Sequence, residues 1–210
     1  MKQSAFISPT ALRVLDAAQI LIQNNGYNGF SYEDLSKMVG LRKPSLHHHF
    51  PKKEDLGATV VERYTERFVL ALHEIENTYV GAKEQIQAYV DLFIDTYGAT
   101  QRLCPCGMLG AEAETLPERV RAGVTAFFEF NLSWLEAVIT RGEKSGTFTL
   151  RDSPDQAALL LFAALEGAMV VGRGLNRRTA VAAVGQAAIL SVLTVKSTQS
   201  LQGRRNVSIE

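Results

Sequence analysis

The sequence predicts an all-α chain, with an N-terminal three-helix helix-turn-helix domain followed by a larger helical domain. Three observations carry this expectation. Apolar residues recur at helical spacing along most of the chain, without strand alternation or a hairpin signal. Residues 31–50, SYEDLSKMVGLRKPSLHHHF, hold the start and stop signals of two short helices joined by a tight turn. Two Ala-rich apolar stretches, residues 157–172 and 180–195, close the helical part. With 210 residues the chain can bury a substantial core in two subdomains, expected at residues 1–52 and 53–196, ahead of a polar tail at 197–210.

The opening helix is expected over residues 11–25. Ser31 suits the N-cap of the next helix, and Glu33 and Asp34 place negative charge where the helix dipole is positive. Leu35, Met38 and Val39 form one apolar face, and Gly40 offers the left-handed backbone that ends a helix. Leu41 returns to the core. Pro44 fits the first turn of the following helix, where its missing N–H costs nothing, and Leu46 and Phe50 bury that helix. The opposite side keeps Ser45 and His48, with Arg42, Lys43 and His47 at its leading end and flank. A helix that offers such residues from its N-terminal part suits the major groove of DNA. Charge agrees. The formal net charge is zero, yet Arg42, Lys43, Lys52 and Lys53 crowd residues 42–53, where no acidic residue occurs. That local patch is enough for a phosphate footprint.

Further helices are expected over residues 53–77 and 82–100. The Cys-Pro-Cys at 104–106 breaks the pattern, a short helix runs to 116, and Pro117 opens a long helix that ends near 146. Ser153-Pro154-Asp155-Gln156 combines a cap, a first-turn proline, an acid and an N3 Gln able to complete a capping box. The helices it introduces should occupy residues 153–173 and 178–195. The polar tail lacks periodicity and is expected to be disordered.

The N-terminal residues are polar and carry no secretory signal. The two apolar stretches fall short of the roughly 20 residues of a membrane span. Glu166 and Gln186 also interrupt them, so the expectation is a soluble, cytoplasmic protein without a membrane partner. Ala163, Gly167, Gly185 and Ala188 would let these helices approach closely. Faces this apolar fit a dimer interface; the alternative is that they simply complete the monomer core.

The N-terminal quarter resembles the DNA-binding domain of the TetR/AcrR family of bacterial repressors. The resemblance rests on the opening helix, Gly26-Tyr27, Phe30-Ser31, Gly40-Leu41, Lys43, Ser45-Leu46, His48, Phe50 and Lys53-Glu54. Pro44 stands where many members have Gly, and His47 and His49 where Tyr is common. The resemblance implies a homodimer, paired through the helices 153–173 and 178–195, that sets two recognition helices on palindromic double-stranded DNA. Arg42, Lys43, Pro44, Ser45, His47 and His48 would enter the major groove, and Ser31, Tyr32 and Lys53 would hold phosphates. It also implies a C-terminal ligand-binding and dimerisation domain with a mostly apolar cavity for a small-molecule effector. Ligand binding there would alter the spacing of the recognition helices, with the helix 53–77 as lever.

Tyr89, Phe93 and Tyr97 repeat at i, i+4 and i+8, and Phe127, Asn131 and Trp134 recur at helical spacing. Stripes of this kind are more often core than ligand contacts. With Cys104, Cys106, Met108, Glu112 and Glu166 they form the candidate effector pocket; Glu112, Glu114, Arg119 and Glu166, joined by Asn131 if it faces inward, are the polar groups able to orient a ligand.

Cys104 and Cys106 are the only cysteines. Three readings stand beside each other: partly buried thiols in a loop, a redox or electrophile sensor, or metal ligands. The sensor reading needs a thiolate with a lowered pKa near a helix start, helped by Arg102. Some TetR-like regulators that resemble this chain in its Cys-Gly-x6-Glu region sense reactive compounds. A metal site is least favoured, because no further Cys or His lies nearby in sequence. The run His47-His48-His49 is no better, since consecutive helical residues point about 100° apart. No metal and no cofactor are expected. An all-α thiol redox enzyme using Cys104 and Cys106 is the alternative function, although no nucleotide loop, zinc helix or nucleophile elbow accompanies it.

Overall fold

The computed structural model describes residues 7–194, so the expected disorder of the tail falls outside the described residues. The N-terminal unit contains α1 (Pro9–Asn25), α2 (Tyr32–Val39) and α3 (Lys43–His49). The rest comprises α4 (Lys53–Thr78), α5 (Ala82–Tyr97), α6 (Pro105–Gly110), α7 (Glu118–Lys144), α8 (Pro154–Gly174) and α9 (Ala180–Val192), with one 3-10 turn at Ala113–Thr115.

Local chemistry sets the boundaries. Ser8 caps α1 by accepting a bond from the Ala11 N–H, ahead of Pro9. Ser31 and Asp34 form a reciprocal capping box at α2, and Gly40 ends that helix at φ 73°, ψ 29°, a conformation that L side chains resist. Met38, expected on the apolar face of α2, is 48% exposed; the buried side of this short helix is Leu35 and Val39. The anticipated helix over 178–195 stops at Val192. There the chain becomes extended and β2 (Leu193–Thr194) pairs antiparallel with β1 (Thr149–Leu150). Strands of two residues have no period to read, which is why alternation gave no sign of them.

Leu15 and Ile22 of α1, Leu35, Leu46 and Leu56 are fully buried and fuse the first three helices to the start of α4. Arg63 of α4 pairs with Asp16 at 2.7 Å, and Arg67 donates to Gln19 at 2.6 Å. Further along, α4 turns Tyr64, Phe68 and Leu72 toward α5 and α7. This one helix therefore belongs to both cores. α8 has the length and apolarity of a membrane span, longer than the stretch expected from sequence, but Leu161, Leu165 and Met169 on its inner side are fully buried in the protein core.

Candidate nucleic-acid interface and effector region

α3 buries Leu46 completely and leaves Lys43, Pro44, Ser45, His47 and His48 exposed, with Arg42 exposed just before them. A short helix anchored by one leucine thus presents its polar side as a single surface. His49 lies half-buried at the core edge. Lys43 Nζ sits 2.7 Å from Glu33, which also faces Lys37 at 3.7 Å. The bond from Lys43 and its positive charge hold the Glu33 carboxyl below its usual range.

The three residues expected to hold phosphates each hydrogen-bond within the chain. Ser31 Oγ donates to Asp34 Oδ2 at 2.7 Å, which lowers the pKa of that carboxyl. Tyr32 Oη donates to the Phe50 carbonyl at 2.6 Å, and its ring stacks on His47 with centroids 4.3 Å apart. Burial, then the nearby Asp55, push the Tyr32 phenol up to about 12. Lys53 Nζ donates to the carbonyls of Tyr27 and Phe30 and lies over both rings, at 4.7 and 4.2 Å from their centroids. Lys53 thereby braces the connection between α1 and α2. Desolvation lowers its pKa, as expected for an ammonium enclosed by carbonyls and rings.

The candidate effector residues form a packed aromatic core. Tyr89, Phe93 and Tyr97 all point inward, and Phe68 meets Tyr89, Phe93 and Phe127 edge-on. Tyr89 Oη donates to Asn131 Oδ1 at 2.8 Å, and Asn131 Nδ2 donates to the Phe127 carbonyl at 2.8 Å. Trp134 stacks on Tyr89 and donates its Nε1–H to Glu76 at 3.0 Å. Met108 is half-buried against the same core. A cavity of about 420 Å³ opens elsewhere, between α5, α9 and the strand pair, where Tyr79, Phe148 and Leu193 are among the lining residues.

Cys104 and Cys106 are 1% and 0% exposed. Burial pushes the Cys104 thiol well up, opposite to the lowered pKa the sensor reading requires, so Arg102 does not make it a ready thiolate. The thiol-enzyme alternative finds no support in a pair so enclosed. Cys104 faces Glu166, whose carboxyl is also raised well above the usual range, first by burial and then by Cys104. Glu166 is half-buried as a residue, yet its Oε1 is sealed from solvent and has no hydrogen-bond partner.

Glu112 departs most from expectation. It sits away from the aromatic core, and its carboxylate accepts the backbone N–H groups of Tyr27 and Asn28 beyond the end of α1, the latter at 3.1 Å. Asn28 Nδ2 donates to Thr115 Oγ1 at 2.8 Å. A Cβ at Gly26 would come within 2.6 Å of Glu112 Oε2, so glycine makes this approach possible. Residues without a sequence signal complete the junction. Gln23 Nε2 donates to the Leu103 carbonyl at 2.9 Å, and Arg173 donates to the carbonyls of Gln23 and Asn24 at 2.9 and 2.7 Å. A guanidinium at the carbonyl end of α1 complements that helix's dipole. The DNA-reading unit is thus held from α6 and α8 as well as through α4.

Known proteins share this architecture. A family profile described as bacterial regulatory proteins, tetR family, matches residues 14–59, and one described as tetracyclin repressor-like, C-terminal domain, matches residues 82–188. The transcriptional repressor DhaR of Mycobacterium sp. (strain GP1) is 23% identical over 164 residues, 78% of this chain and 82% of the relative. The repressor NemR of Escherichia coli (strain K12) is 26% identical over 165 residues, 76% of this chain and 81% of NemR. A TetR family transcriptional regulator from Agrobacterium tumefaciens superposes with a TM-score of 0.84 at 33% identity, covering 88% of this chain and 98% of its own. Reduced E. coli NemR shares the fold, with a TM-score of 0.75 at 21% identity over 90% of this chain and all of its own.

Proposed function

The chain belongs to the tetR family of bacterial regulatory proteins and is a ligand-responsive transcriptional regulator, and from that premise we propose that it represses transcription as a homodimer on palindromic operator DNA. The observation that carries the dimer is the outer face of α8 and α9. Leu160, Val170, Val171 and Leu175, on α8 and at its end, are 50–61% exposed and Val184 of α9 is 37% exposed, a set of large apolar side chains that a second copy would cover. A two-fold pair would bring two copies of α3 to one face, as successive half-sites of a palindrome require.

In each copy Lys43, Ser45 and His48 would read base edges, with Arg42, Pro44 and His47 against the groove wall. The protein would act in the cytoplasm, where DNA and a small-molecule effector meet. The effector would act on the aromatic core and on α6 and α8 around Glu166. It releases DNA only if it prefers the arrangement that fits the operator less well. Selection of bound sequences from a random DNA pool, with light scattering on the purified protein, tests this reading. Expected are an inverted repeat with half-sites about one helical turn apart and a dimeric mass. A monomer, or a pool without enrichment, overturns it.

A further inference from the structure

His47 is held in one orientation from two sides. Its Nδ1 lies 3.2 Å from the carbonyl oxygen of Pro51, and its ring stacks on Tyr32 with centroids 4.3 Å apart and 14° between the planes. Tyr32 is itself fixed, because its hydroxyl donates to the Phe50 carbonyl at 2.6 Å. A carbonyl oxygen only accepts, so the bond to Pro51 places a hydrogen on Nδ1. In the neutral ring the other nitrogen, Nε2, is then a bare acceptor. It has no partner among the described residues, and His47 is exposed on the same side of α3 as Lys43. His48 and His49 meet each other edge-on with centroids 5.4 Å apart, and among the described residues no ring nitrogen of either is tied to the backbone. Of the three histidines, His47 alone is thus set in place before DNA arrives.

Among the described residues no carboxylate pairs with His47. On α2, Glu33 is bound to Lys43 and faces Lys37, and Asp34 is taken up by the Ser31 cap. At the start of α4, Glu54 acts on the Tyr27 phenol, Asp55 pairs with Arg119 at 3.0 Å, and Lys53 is turned into the Tyr27 and Phe30 carbonyls. Arg42 and Lys52 are exposed cations on either side of α3. The Tyr32 phenol beneath the ring, pushed up to about 12, stays neutral at physiological pH. A protonated His47 therefore needs a counter-charge from outside the chain.

An imidazole changes charge within the physiological range. Neutral, this Nε2 would set its lone pair against those of a phosphate oxygen. Protonated, the same atom becomes a charged donor, and the phosphate supplies the missing negative charge. A tyrosine at this position would donate to a phosphate without any change of charge between pH 6 and pH 8. The imidazole makes the contact conditional on a proton.

We propose that operator affinity is set by pH through His47, which takes a proton from solvent onto Nε2 as the complex forms and donates it to a DNA phosphate. Acid pH tightens the grip on DNA and alkaline pH loosens it. This inference rests on the regulator reading above and deepens its DNA contact.

The test is fluorescence anisotropy of the full-length protein on its selected DNA at pH 6 and pH 8, each across a salt series. Wild-type affinity should be about tenfold higher at pH 6, the effect of one proton whose binding site shifts by about one pKa unit in the complex. Its salt slope should be steeper at pH 6 by roughly 0.9, for one further phosphate neutralised. His47→Gln, checked for native helical content by circular dichroism, should lose most of both differences. Glu166 and the other histidines titrate alike in the two proteins, so the comparison cancels them. A flat wild-type profile overturns the proposal, and that measurement needs no variant. So does a pH 6 gain that survives in His47→Gln, or a gain with equal salt slopes, which would put the proton against a base edge. A protein that binds its selected DNA with a flat profile loses this inference alone. One that selects no DNA loses the regulator reading itself.

Discussion

Arg173 at the end of α8 donates from Nη1 to the carbonyl of Gln23 at the end of α1, 2.9 Å away and 150 positions earlier in the chain. Its second nitrogen reaches Asn24, and Gln23 in turn donates to the Leu103 carbonyl. With Glu112 on the N–H groups of Tyr27 and Asn28, the regulatory domain holds both sides of the turn that follows α1. The helix expected as lever, α4, is therefore one of two routes by which a change around α6 and α8 can move α3.

Lys43 must leave Glu33 to meet a base or a phosphate. The pair is solvent-exposed, so it is weak, but it neutralises a cation at the reading surface. Glu33→Gln should tighten binding to the selected DNA by about twofold to fivefold and steepen its salt dependence. Fluorescence anisotropy across a salt series checks this, and unchanged affinity and slope would contradict it.

Lys53 braces the turn between α1 and α2 from within the chain. Removing it leaves the Tyr27 and Phe30 carbonyls without their shared donor, a loss of about 1–3 kcal/mol. Lys53→Met should lower the melting temperature by several degrees and leave the salt slope of DNA binding close to that of the wild type. A normal melting temperature with a slope reduced by about one unit would restore the phosphate role.

Glu166 gives a pH dependence of definite sign. Its carboxyl pKa is raised in the folded protein, first by burial and then by Cys104. Above the ordinary carboxyl range the unfolded chain has released this proton while the folded chain keeps it. Stability from this group is thus present at acid pH and lost as pH rises toward the folded value. Glu166→Gln removes that loss, so its gain in melting temperature over the wild type should grow from pH 5 to pH 8. A difference that stays constant across this range would refute the assignment.

The two thiols should be slow. With Cys104 and Cys106 sealed and Cys104 pushed up by burial, Ellman's reagent should react with the native protein far more slowly than with the denatured chain. Equal rates would return the electrophile-sensor reading to consideration.

Much of the fold was legible because it depends on local chemistry. The Ser31 cap, Gly40, Pro44 and Pro154 each act within a turn of their own position, and the helices lie where these residues put them. Ser153 stands at the N-cap of α8, but its side chain donates to Asp155 and the expected capping box with Gln156 does not form. Periodicity likewise turned Tyr89, Phe93 and Tyr97 inward. It could not say that Tyr89 and Phe93 would meet Phe68, or that Tyr89 would stack on Trp134, since those partners come from other helices. The same limit explains Glu112 and Lys53. Residue type marks each as a charged group in the right region, while the partner that fixes its role lies 85 and 26 positions away, respectively.

Glu112 and Arg173, neither of which belongs to the reading surface, tie the regulatory domain to the turn after α1 and should thereby set the posture of α3. The most direct measurement is the affinity for selected operator DNA, at fixed salt and without ligand, of the wild type and of Glu112→Gln/Arg173→Gln, both confirmed as dimers. Freeing the turn after α1 adds orientational freedom that DNA binding must remove, so the variant should bind about tenfold more weakly. Equal affinity of the two proteins would contradict the claim and return control of α3 to α4 alone.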